Sequence, residues 1–277
     1  MSVADRLRKG ESSRWIVALI LVVPTVLCVF ADNKVFLMIL AAMVGSMAWG
    51  EFFINLLGRE RLGLLVLALL GFYATLAGAT FYGSDGQTLG LAVALSLGAA
   101  YFLHILSPEK DRVSVNLVSR YALGHVYLSF YLSFIMLVKQ FEHGGKWLLF
   151  VLLVTAMSDT GAFYVGSRLK GPKLCPKISP NKTISGLLGG CLAAALAAGL
   201  SHKFLVGTGW RELAALGLFL GLWGTFGDLF ESAFKRAMGV KDTSNILGGH
   251  GGFWDRLDSI LFNLPPVYYY VFWLSQP

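Results

Sequence analysis

The chain has 277 residues, of which 56% are hydrophobic and only 14% are charged, and its mean hydropathy is +0.65. A soluble domain has roughly 45–50% apolar and about 25% charged residues, so this composition argues against a soluble globular enzyme and against a disordered chain. It predicts an all-α polytopic integral membrane protein, in which each helix needs about 20 residues to cross the bilayer. The three cysteines, Cys28, Cys175 and Cys191, have no spacing that indicates a disulfide framework or a zinc site.

Nine apolar stretches are long enough to be membrane helices. In chain order they are Trp15–Ala31, Val35–Leu57, Leu62–Tyr82, Leu89–Leu106, Tyr121–Val138, Trp147–Val165, Ile184–Leu200, Leu213–Phe234 and Leu257–Leu274. The polar and basic segment before Trp15 has no cleavage-site pattern, so we expect the first helix to remain in the protein. Pro265 and Pro266 are expected to kink the ninth helix.

The basic residues predict the orientation of these helices. Most of the 23 Lys and Arg residues fall in the N-terminal segment and in the loops on the same side of the membrane as that segment. By the positive-inside rule this side is cytoplasmic, so the N terminus is predicted to be cytoplasmic. The net charge of +7 is thereby explained by topology, and no nucleic-acid partner is expected.

Six acidic residues lie within the predicted spans or at their ends, where each ionisable residue costs at least about 2.5–3.5 kcal/mol. They are Glu51, Asp159, Asp228, Glu231, Asp255 and Asp258. The helix directions bring all of them except Glu51 together towards the cytoplasmic side. Asp228, Glu231, Ser232 and Lys235 have the spacing i, i+3, i+4 and i+7, so they are predicted to share one face of the eighth helix.

This set of residue types indicates a chemistry. Carboxylates without a cysteine or histidine cluster are hard oxygen ligands that suit magnesium better than zinc. The lysines and arginines nearby are suited to binding polyphosphates. The structural alternative is a set of buried ion pairs between helices.

Glycines are predicted to serve two purposes. In the spans, the pairs Gly186/Gly190 and Gly217/Gly221 place small residues one turn apart, which is typical of close helix packing. In the loops, glycines could let backbone amides approach a phosphate. These are Gly248, Gly249, Gly251 and Gly252 around His250, and Gly186, Gly189 and Gly190 after the stretch Ser179-Pro-Asn-Lys-Thr183.

The C-terminal half contains a recognisable pattern. It reads Ser232-Ala-Phe-Lys235-Arg236, then Lys241-Asp242-Thr-Ser244, then His250-Gly-Gly-Phe-Trp-Asp255-Arg256-Leu-Asp258. This pattern resembles the signature of the phosphatidate cytidylyltransferases, also called CDP-diacylglycerol synthases. The stretches from Asp159 to Gly166 and from Ser179 to Gly190 are similar to the same family.

The resemblance implies the reaction of CTP with phosphatidic acid to give CDP-diacylglycerol and pyrophosphate, with Mg²⁺ as the cofactor and a K⁺ ion beside it. It implies these site residues: catalytic Asp228, Asp255, Lys235, Arg236, His250 and Arg256; substrate-binding Lys173, Ser179, Lys182, Thr183, Ser232, Lys241 and Asp159; and metal-ligating Asp228, Asp255 and Asp258. Residues 1–146 would form helices 1–5, and residues 147–277 the catalytic helices 6–9 with the signature loop. The expected setting is a bacterial inner membrane with the site facing the cytoplasm, membrane lipids around it and a homodimer as the suggested assembly.

Two other functions remain open at this stage. A CTP-dependent polyprenol or phytol kinase would transfer a phosphoryl group to a lipid and release CDP. A membrane transporter would use the acidic residues to couple ions, although transporter sites usually lie near the middle of the membrane rather than towards one face.

Overall fold

The computed structural model describes residues 22–57, 62–83, 93–95, 97–98, 115–205, 207–244, 246 and 251–276. These residues are mostly helical, which confirms the predicted all-α class. Most of the predicted fourth span, the beginning of the first span and His250 lie outside the described residues.

Eight α-helices have defined bounds, and residues 22–30 are also helical. The helices are α1 (Lys34–Leu57), α2 (Leu62–Phe81), α3 (Val115–Gly124), α4 (Tyr131–Lys139), α5 (Gly144–Leu169), α6 (Ile184–Leu200), α7 (Trp210–Ala237) and α8 (Asp258–Leu274). A π-helical segment, His125–Phe130, joins α3 to α4, and short 3₁₀ turns occur at Ser201–Lys203 and Trp254–Arg256. The predicted sixth and eighth spans extend further at both ends in the structure, as α5 and α7.

Five helical stretches in the described part of the chain are long and apolar enough to cross a membrane. They are Lys34–Leu56, Ser119–Lys139, Gly144–Leu169, Ile184–Lys203 and Trp210–Ala237, and a shorter apolar helix covers Leu65–Phe81. This agrees with a membrane protein, while the count of nine spans stays a prediction. The predicted ninth span is the 17-residue helix α8, which contains Pro265 and Pro266 in its interior.

The helices form two compact units. The first unit comprises the chain up to Met136 together with Asp242–Asp255, and the second comprises Leu137–Lys241 and Arg256–Pro277. The predicted functional division between residues 146 and 147 stays a prediction.

An aromatic cluster forms the core of the first unit beside the segment Asp242–Asp255. The Trp254 ring lies edge-on to that of Phe52, with ring centroids 4.8 Å apart, and its indole N–H donates to the Tyr127 hydroxyl at 3.3 Å. Phe53 makes a similar edge contact with Tyr121 at 5.8 Å. All five side chains are buried, and offset or edge-on aromatic pairs add about 0.5–1.5 kcal/mol to their area burial. The cluster therefore attaches the end of this segment to α1 and to the π-helical segment.

Small residues allow close packing of α5, α6 and α7 in the second unit. A Cβ atom on Gly190 of α6 would lie 2.9 Å from the Ser158 carbonyl oxygen of α5, and one on Gly221 of α7 would lie 2.9 Å from the Cys191 Cα of α6. Real Cβ contacts are almost never that short, so only glycine fits at these two positions. The close packing predicted from the glycine spacing is confirmed.

A small hairpin, which the sequence analysis missed, connects α5 to α6. Strand β1 (Lys173–Cys175) pairs antiparallel with strand β2 (Ser179–Thr183), with an irregularity between the two paired positions. The Thr183 hydroxyl then accepts the Gly186 N–H at 3.1 Å and caps the first turn of α6. The hairpin thus ends in the residue that starts the next helix.

Candidate active site

Charged residues from four elements gather at one end of the second unit. The antiparallel order of α5 to α8 places the second half of α5, the beginning of α6, the second half of α7 and the beginning of α8 at the same end. Lys182 Nζ, on β2, forms an ion pair with Asp228 Oδ2, on α7, and these side chains are 24% and 33% exposed. Asp159 of α5 and Asp258 of α8 interact electrostatically with each other and with that pair. The predicted convergence is confirmed for these four residues.

A second ion pair lies next to this group. Lys235 Nζ is 2.5 Å from Glu231 Oε1, one turn earlier on α7, and the Glu231 side chain is only 1% exposed. Glu231 also lies beside the Asp258 side chain, and the Asp258 carboxylate accepts the Ser259 N–H at 2.6 Å. This ion pair lies within one helix, so the structural alternative of ion pairs between helices does not describe it.

The predicted polar face of α7 is present. Ser232 Oγ lies 3.5 Å from Asp228 Oδ1, one turn apart. Arg236, at the end of the same face, donates to two backbone carbonyl oxygens, from Nε to Ile178 at 3.4 Å and from Nη1 to Val240 at 3.2 Å. Arg236 thus contacts the turn of the hairpin and the chain that follows α7.

The remaining candidates of the second unit differ in exposure. Lys173, Lys241 and Arg256 are exposed, and Ser179 is half-buried at the start of β2. Thr183 is buried at 7% exposure, and its hydroxyl caps α6. The structure therefore gives Thr183 a structural contact, whereas the three exposed cations are accessible to an anionic ligand.

The residues at this end of the second unit fit a divalent cation by their chemistry. Asp159, Asp228 and Asp258 offer hard carboxylate oxygens, which suit magnesium. In the part of the chain that the structure describes, no group of three or more His, Cys, Asp and Glu residues is arranged closely enough to hold a metal ion. The assignment of individual ligands stays a prediction.

Asp255 belongs to the first unit, where three hydrogen bonds hold its carboxylate. Asp255 Oδ2 accepts the Gly252 N–H at 2.7 Å, the Thr243 N–H at 3.3 Å and the Thr243 hydroxyl at 3.2 Å. Gly251 has a positive φ of 74°, and a Cβ there would overlap the Asp255 carboxylate. Gly251 and Gly252 therefore approach a carboxylate of the protein itself, where the sequence had predicted approach to a phosphate.

Glu51 is the residue that the sequence analysis left outside the site. It lies on α1, is 7% exposed, and accepts hydrogen bonds from Thr243, Ser244, Phe253 and Trp254. The available signal was an acidic residue inside an apolar helix, which needs a polar partner. The sequence could not identify that partner, because it lies about 190 to 200 positions away in the chain.

A family model and the similar proteins of known name point to the same family. The model of the cytidylyltransferase family matches residues 12–274. A Bacillus subtilis (strain 168) protein named phosphatidate cytidylyltransferase is 30% identical over 218 residues, which cover 75% of this chain and 77% of the relative. A Thermotoga maritima protein of the same name is 29% identical over 212 residues, covering 74% and 75%.

Another relative has a higher sequence identity to this chain, over a shorter aligned stretch. A Staphylococcus aureus (strain COL) protein, also named phosphatidate cytidylyltransferase, is 42% identical over 136 residues, which cover 48% of this chain and 52% of the relative. The family model spans nearly the whole chain, and the acidic and basic residues described above lie within the matched range. The chain belongs to the cytidylyltransferase family.

Proposed function

We propose that this protein is a phosphatidate cytidylyltransferase, which converts CTP and phosphatidic acid to CDP-diacylglycerol and pyrophosphate. The observation that carries the proposal is the group formed by Lys182, Asp228, Asp159 and Asp258. It combines a cation for phosphates with oxygen ligands for a metal, and Asp159 and Asp228 lie on helices that are long and apolar enough to cross a membrane. The relatives named phosphatidate cytidylyltransferase support the choice of substrates.

The chemistry requires alignment more than a protein nucleophile. An oxygen of the phosphatidic acid phosphate attacks the α-phosphorus of CTP, a new P–O bond forms, and the bond to the β-phosphate oxygen breaks to release pyrophosphate. The substrate itself supplies the attacking oxygen. The protein's contribution is therefore to hold both phosphates in line and to neutralise the charge that develops on the oxygens.

The side chains of the second unit divide by charge in this proposal. Lys182 holds Asp228 in place and presents a cation to a phosphate, and the exposed Lys173, Lys241 and Arg256 contact the triphosphate or the lipid phosphate. Ser179 and Ser232 provide hydroxyl groups, and Lys235 and Arg236 complete the polar set of this unit. His250, which lies outside the described residues, is proposed as a catalytic residue on the family pattern alone.

The metal assignment rests on donor chemistry and on the family pattern. Asp228 and Asp255 are the proposed ligands of Mg²⁺, with Asp258 as a further ligand and K⁺ as a second cation. When bound, magnesium would withdraw charge from the phosphate oxygens and favour departure of pyrophosphate.

The proposed location is a bacterial inner membrane, with the site facing the cytoplasm, where CTP is available. The acyl chains of phosphatidic acid can remain in the bilayer while the headgroup reaches the polar end of the second unit. A homodimer is part of the same proposal.

The decisive experiment uses purified protein in detergent, phosphatidic acid and CTP labelled either at the α-phosphate or at the γ-phosphate. A cytidylyltransferase transfers the α-label to the lipid fraction and releases one pyrophosphate for each labelled lipid. A lipid kinase transfers the γ-label to a polyprenol or phytol and releases CDP. If neither label enters a lipid from a panel of lipid phosphates and alcohols, the proposal is wrong and the transporter alternative gains support.

A further inference from the structure

We propose that Glu51 is a positioning residue that holds Asp255 in its working orientation by joining both ends of the segment Thr243–Trp254 to helix α1. This inference rests on the proposed function, because that proposal gives Asp255 its part in the reaction. The geometric part, which is the attachment of the segment by Glu51, can be measured without any assay of activity.

Each oxygen of the Glu51 carboxylate lies within hydrogen-bond distance of two donors. Oε1 accepts the Ser244 hydroxyl at 2.5 Å and the Phe253 N–H at 3.1 Å. Oε2 accepts the Thr243 hydroxyl at 3.2 Å and the Trp254 N–H at 2.9 Å. Each oxygen therefore contacts one donor from the beginning of the segment and one from its end, so a single side chain fixes both ends.

Thr243 connects Glu51 to Asp255. Its hydroxyl lies 3.2 Å from both Glu51 Oε2 and Asp255 Oδ2, so its single hydrogen is shared between the two carboxylates, and its N–H donates to the same Asp255 oxygen. Its carbonyl oxygen accepts the Asn55 amide at 3.3 Å, and Asn55 lies one turn after Glu51 on α1. Thr243 is thus held through its hydroxyl, N–H and carbonyl groups, and Asp255 takes its orientation from two of them.

The arrangement requires a carboxylate and a neighbouring glycine. A glutamine at position 51 would place an NH₂ group against two donors that now contact an oxygen, and each buried donor left unmatched costs about 1–3 kcal/mol. A Cβ on Gly252 would overlap the Glu51 carboxylate. Gly252 therefore lets the chain pass close enough for the N–H groups of Phe253 and Trp254 to reach Glu51.

The first test compares Glu51→Gln with Ser46→Ala. Ser46 is also on α1, but its hydroxyl contacts Tyr73 and the Ala42 carbonyl rather than the segment. We expect Glu51→Gln to speed amide hydrogen exchange in the peptide covering residues 251–256 by about 10-fold or more, and to lower kcat by about 10- to 100-fold. The KM for CTP should change much less than kcat. Ser46→Ala should leave both measurements at the wild-type level.

A second pair of variants distinguishes loss of the Thr243 hydroxyl contact from a general loss of folding. Thr243→Val removes the hydroxyl that joins Glu51 to Asp255, whereas Thr243→Ser keeps it. We expect a loss of kcat in the first variant and retention of most of it in the second. In the double variant Glu51→Gln/Thr243→Val, the losses should be clearly less than additive, because both changes break the same connection.

The outcomes separate this inference from the proposed function. Unchanged exchange of residues 251–256 in Glu51→Gln would overturn the attachment, whatever the activity of the wild-type protein. Faster exchange with unchanged kcat, or full additivity with Thr243→Val, would overturn the role in orienting Asp255. A wild-type protein with no cytidylyltransferase activity would refute the proposed function while leaving the exchange result valid.

Discussion

Lys182 Nζ and Asp228 Oδ2 form an ion pair that connects the strand before α6 to the second half of α7. Both side chains are partly exposed, so the pair is accessible to a ligand from water as well as to its neighbours. Because Asp228 also interacts with Asp159 and Asp258, Lys182 is a cation next to three carboxylates. Loss of the Lys182 charge would leave the carboxylates without this positive neighbour and would weaken the binding of a phosphate beside them.

Lys182→Gln is expected to lower kcat/KM for CTP by about 10- to 100-fold, since a charged hydrogen-bonding contact contributes about 1.5–3 kcal/mol. The measurement is steady-state transfer of α-labelled CTP into lipid. Lys177→Gln is the matched control, because Lys177 is an exposed lysine in the turn of the same hairpin. Equal losses in both variants would mean that general positive charge, rather than Lys182 itself, supports the reaction.

Asp228→Asn should reduce turnover by at least about 100-fold while the protein still inserts and folds, because the amide keeps the shape of the side chain but loses its charge. Turnover and the melting temperature in detergent are measured together. Glu142→Gln serves as the control, since Glu142 is 92% exposed and lies before α5 at its other end. If Asp228→Asn retains substantial turnover, Asp228 does not belong to the reacting site.

Metal removal tests the assignment of the acidic residues as ligands. Activity should disappear in the presence of a chelator and return when Mg²⁺ is added in excess, because phosphoryl oxygens and carboxylates both prefer this hard cation. In Asp228→Asn, the Mg²⁺ concentration that gives half of the remaining activity should rise. Turnover that persists in chelator would rule out magnesium as a participant.

Within the described residues, the sequence predicted several helices and the polar face of α7, for physical reasons that are local. The α6 helix runs over Ile184–Leu200 as predicted, because the polar residues on either side of this apolar stretch mark where the helix begins and ends. The contacts of Ser232 with Asp228 and of Lys235 with Glu231 follow from helical periodicity alone.

Other features depend on distant parts of the chain and could not be predicted this way. The hairpin β1–β2 is short and polar, so its residues show no clear alternation of apolar and polar positions. The partnership of Glu51 with Thr243 and Trp254 joins α1 to a segment far along the chain, and one sequence carries no signal of which acid meets which donor. The helix cap at Thr183 could have been predicted, because a threonine directly before an apolar helical stretch is a typical N-cap. The family resemblance assigned Thr183 to substrate binding instead.

Helix packing in the second unit makes a prediction about stability. Gly190→Leu should destabilise the protein by about 1–3 kcal/mol, since its Cβ would already be too close to the Ser158 carbonyl oxygen. Thermal melting in detergent measures the effect. Gly63→Ala is the control, because a Cβ at Gly63 of α2 has no neighbour within 4 Å. A Gly190→Leu protein as stable as the wild type would mean that α5 and α6 are not packed this closely.

The orientation in the membrane can be tested at the two ends of α5. This helix has 26 residues and at about 1.5 Å per residue is long enough to cross the bilayer. Lys177, in the hairpin after α5, is predicted to be cytoplasmic, and Glu142, before α5, is predicted to be on the opposite side.

Both sites are examined as single cysteine variants, Lys177→Cys and Glu142→Cys, in a protein whose native cysteines have been replaced. The native cysteines are Cys28, Cys175 and Cys191, and Cys175 must be removed because it lies in the hairpin itself. In intact cells a membrane-impermeant maleimide should label Glu142→Cys only, and in inverted membrane vesicles it should label Lys177→Cys only. Both target residues are exposed, so a lack of labelling reflects the membrane rather than burial. The reverse pattern would invert the topology and place the Lys182–Asp228 pair on the side where CTP is absent, which would contradict the proposed function together with the orientation.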